Sequence, residues 1–520
     1  GLGATGINSN GGITISTGDY NPEMIQLDDV LIAGSGFSST YTVGDQPGTV
    51  IGVINYSFSH YELLLTQVPT GTVNVTIAPE VVGFVGDSNY MTFATFNVEN
   101  LDPSDGKYDE LAEDIIVNLR LPEVIAIQEM QGDNGALAGG TLSAAANAQG
   151  LIDAIFAASG VTYVYVEIAP TTANSSGGEP NGNIRNGYLY RDDRVDLVAG
   201  SLEVITDPSF SNSRLPLVAT WSFQGTEVTT INIHLTARSG SDALWGAVQP
   251  PEAAGEDRRA DQAEAIGIWI NTHLADNPGL NIAVLGDWNG FYFEDAQSNL
   301  TNTILTNLQV ALLTPQERYS YVFEGNAQLL DNILVTDGLL NGASVDGVHI
   351  NTYFGADANS DHDPQVARFL LGTAPTNLIL DGTDVDENLP AGSIVGTASA
   401  TDAPGDTLTY SLLDNGGRLA ISATTGVITT LIALNHEALA SASLTVVVAD
   451  SAGQTTQTAF VISINNVNEA PVAVGDSVAV NEDATTGNLW TQLLSNDSDP
   501  DSGDIITIQS VGTAATLGYV

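Results

Sequence analysis

The chain has 520 residues and a formal net charge of -50, with 12 Lys and Arg against 62 Asp and Glu. It contains no cysteine, which excludes disulfides, thiolate metal sites and cysteine nucleophiles. Its length exceeds one ordinary domain core, and 43% hydrophobic residues with 14% charged residues is a globular composition. The acidity argues against long-range attraction of a polyanion and suits a saline or calcium-rich exterior, where carboxylate repulsion is screened.

The hydropathy and the two ends of the chain carry further expectations. No uninterrupted apolar run reaches 18 residues, so no transmembrane segment is predicted. The sequence begins at Gly1 without a basic-then-apolar leader, and we expect any signal peptide to have been removed. The final strand pattern stops at Val520, which predicts further repeats in a longer chain.

Residues 1–86 have an all-β pattern. The stretches GGITIST, TVIGVINYSF, YELLLT and VNVTIAP predict short strands, and turn-forming residues separate them. This region contains no Lys or Arg.

Residues 91–371 predict a domain in which strands alternate with helices. Helical patterns lie at about 108–120, 141–159 and 257–275, and Pro122 ends the first of them. Eleven of the twelve basic residues fall in this region and the twelfth is Arg418. If any part of the chain contacts phosphate, we expect it to be this one. The stretch LGTAPTN at 371–377 reads as a linker.

Four apolar strands of this domain are bordered by polar residues that are able to bind a metal. One such strand end is ordinary, but four in one domain are hard to attribute to turns. They supply Asn97 from TFATFNVEN, Glu129 from VIAIQE, Asp287 and Asn289 from NIAVLGDWNG, and Asp361 and His362 from NSDHDPQVARF.

Hydrolysis of a phosphodiester requires groups of these kinds. A hard cation, bound by carboxylate and amide oxygens, neutralises phosphate charge. An aspartate beside an amide orients or deprotonates a water, and a histidine held by a carboxylate stabilises charge on the phosphoryl oxygens. The chain contains residues of each type: Glu129, Asp287 with Asn289, and Asp361 with His362.

The motifs FNVEN, IAIQE, NIHL, GDWN, LDNILV and SDHDP occur in this order across residues 91–371. In wording and order they resemble the endonuclease/exonuclease/phosphatase superfamily, which includes DNase I-like nucleases, and within it large secreted bacterial nucleases. The resemblance implies a multidomain protein with an α+β four-layer β-sandwich as its catalytic domain. In this fold two sheets pack face to face with helices outside, and the catalytic residues lie at one edge.

The resemblance also implies metal-site residues. Asn97 and Glu129 match metal-binding positions, Glu129 being the main ligand of Mg²⁺ or Mn²⁺. Asp361 matches a second metal ligand or an acid that orients histidine.

The remaining catalytic positions follow by the same resemblance. His234 matches a histidine that contacts the scissile phosphate, although on its own it would more often be a satisfied core histidine. Asp287 matches the residue that orients or deprotonates the attacking water, and Asn289 its phosphate-contacting neighbour. Asp331 matches the carboxylate that supports the catalytic histidine, and His362 a phosphate-contacting or general-base histidine. Which of Asp287 and His362 takes the proton stays open.

Two arginines are predicted to bind substrate phosphate. Arg185 and Arg191 lie in NIRNGYLYR, and arginine is both sparse in this chain and suited to bidentate phosphate contact. The adjacent glycine-rich stretch 174–183 is predicted to be a flexible loop that closes over substrate. The other histidines match nothing in the pattern and are expected to be structural: His60, His273, His349 and His436.

The N-terminal region resembles the OB-like domain that precedes the catalytic domain in secreted bacterial nucleases. The resemblance is carried by YNPEMIQLDD and TVIGVINYSFSHYELL, and only the later part of such a domain is present. Tyr41, Tyr56, Phe58 and Tyr61 are candidates to stack on bases. Because the region has no Lys or Arg, we expect a structural role or weak cation-bridged binding instead.

Residues 375–470 resemble a cadherin repeat, a β-sandwich with Ca²⁺ sites between domains, although LNHE departs from the usual acidic motif at Asn435. Loop carboxylates at one end of such a sandwich supply the hard oxygens that Ca²⁺ requires. The candidate ligands are Glu387, Asp402, Glu437, Asp450 and Asn468. Residues 471–520 resemble part of a second surface repeat with an acidic loop of Asp497, Asp499, Asp501 and Asp504.

The sequence thus predicts a secreted or cell-surface, metal-dependent endonuclease that acts on extracellular nucleic acid. DNA is the favoured substrate and RNA is the alternative. Its C-terminal repeats are expected to contact a cell surface or matrix. One alternative is a lipid phosphodiesterase of the same fold, of the sphingomyelinase kind, since the fold does not select the substrate. The other is a non-catalytic adhesion or matrix protein with a degraded middle domain. Every catalytic position is filled, which favours an enzyme.

Overall fold

The structure is a computed structural model that describes residues 6–21, 24–35, 41, 43–58, 60–71, 77–137, 141–178, 180–402, 406–414, 416–451 and 453–510. The chain divides into two compact units, Gly1–Gly372 and Thr373–Val520. Within the described ranges, no helix has the length and apolar character needed to cross a membrane.

The described strands are numbered in chain order. They are β1 (Ile13–Thr14), β2 (Gln26–Asp28), β3 (Gly52–Ser57), β4 (His60–Leu65), β5 (Tyr90–Asn97), β6 (Val124–Met130), β7 (Val164–Glu167), β8 (Arg185–Tyr190), β9 (Asp196–Leu197), β10 (Glu203–Val204), β11 (Leu217–Phe223), β12 (Thr226–His234), β13 (Ile282–Asp287), β14 (Thr306–Asn307), β15 (Tyr321–Phe323), β16 (Asn326–Gln328), β17 (Asp331–Val335), β18 (Ser344–Gly347), β19 (Gln365–Leu370), β20 (Thr376–Asp381), β21 (Asp384–Asp386), β22 (Ile394–Thr401), β23 (Thr409–Asp414), β24 (Leu419–Ile421), β25 (Val427–Thr430), β26 (Ser441–Ala449) and β27 (Thr455–Asn465).

The described α-helices are numbered in the same way. They are α1 (Tyr108–Glu113), α2 (Ala145–Ser159), α3 (Glu256–Asp276), α4 (Asp295–Thr301), α5 (Leu308–Leu312) and α6 (Trp490–Leu493). Short 3-10 turns occupy Val30–Ile32, Pro208–Phe210, Pro315–Glu317, Asp337–Leu339 and Gly355–Asp357.

Two large sheets form the centre of the first unit. One has six strands in the order β18-β19-β5-β6-β8-β7. The other has seven strands, with the order β10-β11-β12-β13-β17-β14 and β9 paired to β11. The central pairs β5–β6 and β12–β13 are parallel, so the carboxyl ends of each pair lie at the same edge of its sheet.

The sheets pack face to face, because side chains alternate between the two faces of each strand. On β5, Met91 and Phe93 belong to a core shared with residues of the seven-stranded sheet, such as Leu285. Ala94 and Phe96 point the other way, into a core built with α2. A third core joins the outer face of the seven-stranded sheet to α3 and α4. The predicted four-layer sandwich, two sheets with helices outside, is therefore confirmed.

The three predicted helices are present with shifted ends. The first is split into α1 and a π-helical segment Asp114–Asn118, and the second begins four residues later than predicted. Helix α2 ends at Ser159 and is capped by Gly160, whose φ of 73° suits a left-handed cap. Helix α3 has Glu256 and Asp257 in its first turn, where carboxylates stabilise the positive end of the helix dipole.

The first residue of the π-helical segment is a buried acid. Asp114 accepts a hydrogen bond from Asn359 Nδ2 at 2.8 Å, and burial raises the pKa of Asp114 to about 7. A raised carboxyl pKa means that the folded state holds its proton more tightly than the unfolded chain does. Stability from this group is therefore complete below the unfolded pKa near 3.8 and is lost as pH rises through about 7.

Replacing Asp114 with asparagine should stabilise the first unit at pH 8 by about 1–3 kcal/mol and have little effect near pH 4. The amide keeps an acceptor for Asn359 and removes the charge. Urea unfolding followed by tryptophan fluorescence measures this, since four of the five tryptophans lie in the first unit. A stability difference that does not change with pH would contradict the assigned ionisation.

The N-terminal region belongs to the same compact unit as the two large sheets. Strand β1 pairs with β16 in the sheet β1-β16-β15, and β2, β4 and β3 form a separate three-stranded sheet. GGITIST, TVIGVINYSF and YELLLT thus contain β1, β3 and β4 as predicted, while most of VNVTIAP lies outside the described residues. These strands do not test the OB-like assignment, which stays a prediction.

The second unit contains a β-sandwich of two four-stranded sheets. Their orders are β20-β22-β25-β24 and β21-β27-β26-β23. One core, which includes Leu378, Leu419 and Val446, fills the space between them. Beyond Asn465, the described residues up to 510 contain α6 and a single bridge between Val472 and Ser498.

Candidate active site

The polar residues predicted at strand ends meet at one edge of the two central sheets. In the seven-stranded sheet the register aligns His234 with Asp287 and Asp287 with Asp331. In the six-stranded sheet Asn97 is aligned with Gln128, the residue before Glu129. Since the sheets pack face to face, these ends lie together.

Glu129, His234 and Asp287 form the first group. Their ligand atoms all lie within 4.8 Å of one another. His234 Nε2 is 3.7 Å from Glu129 Oε1 and 3.4 Å from Asp287 Oδ2. Asn97 Nδ2 lies between the same two carboxylates, 3.2 Å from Glu129 Oε1 and 3.3 Å from Asp287 Oδ2. The amide thus links the ends of the two sheets.

Glu129 is held in an unusual backbone conformation. Its φ is 64°, in the left-handed region, at an irregularity in the pairing of β6 with β8. Its Oε2 accepts a hydrogen bond from the backbone N–H of Asn100 at 2.9 Å, and Asn100 also has a positive φ, of 53°. Residues held in such strained conformations cluster at functional sites.

Each residue of the motif GDWN has a structural role at this site. Gly286 has a φ of 142°, and a Cβ there would lie 2.1 Å from the Ile233 carbonyl oxygen. Asn289, with a φ of 49°, donates to Asp287 through its backbone N–H at 2.7 Å and its Nδ2 at 3.0 Å. Trp288 is fully buried in the core beneath. The motif therefore fixes the Asp287 carboxylate in one orientation.

His362 and Asp331 form the second group. His362 Nδ1 lies 2.6 Å from Asp331 Oδ2, and both side chains are buried. Ser320 Oγ accepts the backbone N–H of Asp331 at 2.9 Å, which fixes the start of β17. Tyr321 packs on the imidazole, with ring centroids 4.8 Å apart.

Opposite pKa shifts distinguish the two histidines. Burial lowers the pKa of His234 well below its usual range, so this imidazole is neutral. Burial also acts to lower the pKa of His362, but the carboxylates of Asp331, Asp287 and Asp361 outweigh it and raise that pKa well above its usual range. The site therefore holds one neutral and one cationic imidazole.

Asp287 is a buried carboxylate beside other carboxylates. Burial raises its pKa to about 7, against the lowering effect of the His362 charge. A carboxyl group with this pKa exchanges its proton near neutral pH, which is the range a general base requires.

The stretch NSDHDPQV divides its acids between two roles. Asp363 is fully buried and accepts the backbone N–H groups of Ile350, Asn351 and Thr352 through Oδ1. Asp361 is half-exposed, with Oδ1 4.0 Å from His362 Nε2. Asp363 therefore fixes the loop, and Asp361 faces the site.

A cleft of about 570 Å³ opens over both groups. Its lining combines the catalytic candidates with the loop 237–244, Tyr321, Phe323 and Phe58 of the N-terminal region. Arg238 also lines it, and its guanidinium is paired with Glu294 and lies 3.8 Å from the Phe291 ring centroid.

Sequence reasoning missed two arginines at this site. Arg238 faces the cleft, and Arg214 is buried nearby, donating through Nη2 to the Leu235 carbonyl at 2.6 Å. The charge of Arg214 acts on Glu129 and Asp287, and burial lowers the pKa of Arg214 itself to about 10. The available signal was the scarcity of basic residues, but scarcity does not indicate which arginine reaches the site.

The prediction for Arg185 needs correction. Its side chain is buried and ion-paired to Glu167 at 2.9 Å, and it also donates to the carbonyls of Leu142 and Asn183. This guanidinium would have to give up these partners to bind phosphate. Arg185 is therefore not proposed as a residue that contacts the substrate.

Arg191 lies at the wrong edge of the sheet. It follows Tyr190, which pairs with Val124 at the start of β6, five residues or about 17 Å from Glu129 along the strand. Its Nη2 pairs with Asp193 Oδ2 at 2.9 Å. The structure therefore does not bring Arg191 together with the other candidates.

The four histidines expected to be structural have structural contacts. His349 Nδ1 lies 2.9 Å from Asp363 Oδ2, and His60 Nε2 lies 2.7 Å from Gln26 Oε1. The ring of His273 stacks on Trp269, and the backbone N–H of His436 donates to Glu387.

The donor set at the first group fits a divalent cation. The carboxylates of Glu129 and Asp287 face each other, and the groups in contact with both, the Asn97 amide and the neutral His234, carry no compensating charge. Hard oxygens in this arrangement suit Mg²⁺ or Mn²⁺. The prediction that a divalent metal binds at this site therefore agrees with the chemistry of the residues present.

The predicted Ca²⁺ ligands of the second unit separate into two places. Glu387 and Glu437 lie with Glu469 and Asp501, and their ligand oxygens are all within 4.8 Å of one another. Glu469 Oε2 is buried and has no hydrogen-bond partner among the described residues. Asn468 is adjacent, its Nδ2 donating to the Glu469 carbonyl at 2.9 Å. This group of oxygens fits a Ca²⁺ ion.

Asp402 and Asp450 lie at the opposite end of the sandwich. Asp450 follows β26, whose nine residues separate it from the Glu387 end by about 27 Å. Asp402 follows β22, whose last residue, Thr401, pairs with Thr376. Asp402 therefore lies at the end of the sandwich that carries Asp450. The single set of ligands implied by the prediction is corrected to two groups.

The acidic loop after residue 496 is partly assembled. Asp499, Asp501 and Asp504 have ligand oxygens within 4.8 Å of one another. Asp497 is engaged elsewhere, since its Oδ1 accepts the backbone N–H of Val474 at 2.7 Å.

Calcium at about 1 mM should raise the melting temperature of the second unit by about 5 °C if the site binds with a Kd near 10⁻⁵ M. Replacing Glu387 with glutamine should remove most of this shift. Calorimetry with Ca²⁺ or EDTA measures it, and Glu482→Gln, an exposed acid of the same unit, is the matched control. Equal shifts in both variants would show that the ion binds elsewhere.

Comparison with known proteins gave matches to separate parts of the chain. Residues 2–74 match the model of a domain of unknown function (DUF8508), residues 382–465 the cadherin domain and residues 468–519 the bacterial Ig domain. The cadherin-like prediction is therefore confirmed. A search among curated proteins gave no match.

Several solved structures are similar to the chain in fold. Truncated TDP2 of Caenorhabditis elegans is 15% identical, covering 55% of this chain and 100% of that one, with a TM-score of 0.38. The catalytic domain of human Nocturnin with bound sulfate is 15% identical over 54% of this chain and 94% of that one, with a TM-score of 0.37. An endonuclease/exonuclease/phosphatase from Bacteroides vulgatus is 14% identical over 54% and 99%, with a TM-score of 0.37. At these values the likeness concerns the fold alone.

Proposed function

We propose that the protein is a secreted or cell-surface phosphodiesterase that depends on a divalent metal. It hydrolyses extracellular nucleic acid as an endonuclease, with DNA as the favoured substrate and RNA as the alternative. The observation that carries the proposal is one cleft that holds facing carboxylates, a neutral imidazole and a cationic imidazole. Each of these has a separate use in hydrolysing a phosphodiester.

Glu129 and Asn97 are the proposed metal ligands, with Asp361 as a further acid at the mouth of the site. When bound, Mg²⁺ or Mn²⁺ neutralises charge on the phosphate. The strained backbone at Glu129 and the hydrogen bond from Asn97 Nδ2 place the Glu129 carboxylate before substrate arrives, so little reorganisation accompanies binding.

Asp287 is the proposed general base. Asn289 and the tight turn at Gly286 orient its carboxylate, and its pKa of about 7 permits it to accept a proton from a water molecule at neutral pH. His362, cationic through Asp331, is proposed to donate to a phosphoryl oxygen. His234, neutral and beside both carboxylates, is proposed as a second donor to the phosphate.

The proposed location outside the cell rests on the other domains and the composition. Cadherin and bacterial Ig domains and a net charge of -50 fit a saline, calcium-containing exterior. A divalent cation would also reduce the repulsion between this acidic chain and nucleic acid. The adhesion alternative is less well supported, because each catalytic position is filled and six of these residues line one cleft: Glu129, His234, Asp287, Asn289, Asp361 and His362.

The test compares substrates under identical conditions. Purified protein with Mg²⁺ is incubated with single-stranded DNA, duplex DNA, RNA and sphingomyelin vesicles, and Glu129→Gln is the matched inactive control. We expect hydrolysis of nucleic acid that the control lacks. Hydrolysis of sphingomyelin alone would replace the proposal with a lipid phosphodiesterase, and no hydrolysis of any substrate would favour the adhesion protein.

A further inference from the structure

One wall of the cleft comes from the N-terminal region. Phe58 lies in the hairpin loop between β3 and β4, just beyond the paired residues Ser57 and His60, and lines the cleft with the catalytic candidates. Its side chain is 88% exposed and its φ is 48°. A two-residue hairpin loop with positive φ favours Asn or Gly. A bulky aromatic residue that is both strained and exposed weakens the hairpin without adding to a core, which points to a role in binding.

The hairpin loop is anchored to the catalytic domain next to this residue. His60 is buried, its Nε2 bonded to Gln26, and its ring centroid lies 4.2 Å from that of Trp245. Trp245 packs in a core that also contains Leu244, a lining residue of the cleft. Phe58 is therefore held at the cleft by a fixed neighbour and is not a free loop tip.

A second aromatic residue extends from the catalytic histidine. Tyr321, on β15, packs against His362, and Phe323 is two residues further along the same strand. Side chains two residues apart share a face and lie about 7 Å apart. Phe323 is 51% exposed and lines the same cleft as Phe58.

From this arrangement we infer that Phe58 and Phe323 stack on an unpaired base next to the scissile phosphodiester, so that the substrate is single-stranded nucleic acid. The inference rests on the proposed function and specifies the substrate of that same site. A base has an aromatic face for each ring, and base–aromatic stacking is the usual source of sequence-tolerant binding of single strands. Of the four aromatic residues suggested for stacking by the sequence, Phe58 lines the cleft, while Tyr41, Tyr56 and Tyr61 do not.

The charges in the cleft disfavour a duplex. Among its described lining residues, one arginine, Arg238, accompanies five carboxylates. These are Glu129, Asp242, Asp287, Glu324 and Asp361. A duplex carries two phosphates per base-pair step and is bound mainly through Lys and Arg. A single strand has a lower charge density and obtains affinity from its bases, which this cleft is built to accept.

The test measures kcat and KM on single-stranded and duplex oligonucleotides of one sequence, using the full chain with Mg²⁺. Phe58→Ala and Phe323→Ala should each raise KM for the single strand about tenfold with little change in kcat. A single strand with an abasic residue at the cleavage position should be bound as weakly by wild type as by the variants. Tyr61→Ala, an exposed aromatic residue of the same hairpin outside the cleft, is the matched control and should behave as wild type.

The outcomes separate this inference from the proposed function. If wild type cleaves nucleic acid but Phe58→Ala has an unchanged KM, or Tyr61→Ala raises KM equally, the stacking site is overturned while the nuclease stands. Preference for duplex over single strand also overturns it. If wild type cleaves no nucleic acid, the inference fails together with the proposed function.

Discussion

Replacing Glu129 with glutamine is expected to lower phosphodiester hydrolysis by about 10³-fold. The substitution preserves the shape of the side chain and an oxygen to accept the Asn100 N–H, but it removes the charge that faces Asp287 and is proposed to bind the cation. Loss of about 4 kcal/mol of transition-state stabilisation is the size expected when a metal ligand fails. Initial rates at several Mg²⁺ concentrations measure the effect.

A metal-binding role for Glu129 predicts a second signature. Because the variant binds the cation more weakly, its residual activity should require a higher Mg²⁺ concentration for half-maximal rate. Glu110→Gln, on the exposed face of α1, is the matched control and should keep both the rate and the Mg²⁺ requirement. A Glu129 variant that retained wild-type activity at every Mg²⁺ concentration would remove Glu129 from the site.

The second large effect concerns the His362–Asp331 pair. His362→Asn keeps a donor toward Asp331 but loses the cation, and we expect about 10³-fold less activity. Asp331→Asn should lower activity less, by about 10²-fold, because the imidazole remains but loses the carboxylate that holds it charged and oriented. The double variant should be no worse than His362→Asn, since residues that act as one unit are not additive.

The pH profile distinguishes this role from a packing role. The raised pKa of His362 keeps the imidazole charged above neutral pH, and the Asp331 charge is a main cause. In Asp331→Asn the pKa should fall, so the activity should be lost at a lower pH on the alkaline side than in wild type. A uniform loss of activity at all pH values, with the profile unmoved, would show that Asp331 only supports the fold. His273→Ala, far from the cleft, is the matched control.

Much of the active site could be predicted from the sequence because its residues sit at the ends of regular strands. Short apolar runs identify β5, β6 and β13, and the polar residue at or near the end of each strand is then placed at a sheet edge. The motif GDWN also indicates the tight turn, because Gly286 and Asn289 both adopt a positive φ there. The contact between His362 and Asp331, which lie 31 residues apart, was implied by the family resemblance and not by any local pattern of residues.

The prediction that Arg185 binds phosphate was wrong because its buried side chain is ion-paired to Glu167. The residue is sparse in type and close to a glycine-rich loop, both of which suggested substrate contact. Its partner Glu167 comes from the neighbouring strand β7, and this pairing depends on the tertiary register of β7 and β8. Arg191 failed for a simpler reason, because strand β8 runs antiparallel to β6 and carries its last residue away from Glu129.

The split of the Ca²⁺ ligands could have been found by following strand direction. Successive antiparallel strands place their connecting loops at alternate ends of a sandwich. Glu387 follows β21 and Asp450 follows β26, which lie on either side of β27, β21 parallel and β26 antiparallel to it. Their loops therefore fall at opposite ends. By contrast, the proximity of Asp501 to Glu387 depends on the path of residues 466–500, which the sequence did not predict.

The most direct test of the central claim is cleavage of circular single-stranded DNA by the purified full chain. Protein is first dialysed against EDTA, and cleavage is then followed on gels before and after Mg²⁺ is restored, with His362→Asn in parallel. The proposed metal-dependent endonuclease predicts no cleavage after dialysis, recovery with Mg²⁺, and no recovery in the variant. Cleavage that persists in EDTA, or that is equal in His362→Asn, would contradict the assignment of this cleft as a metal-dependent nuclease site.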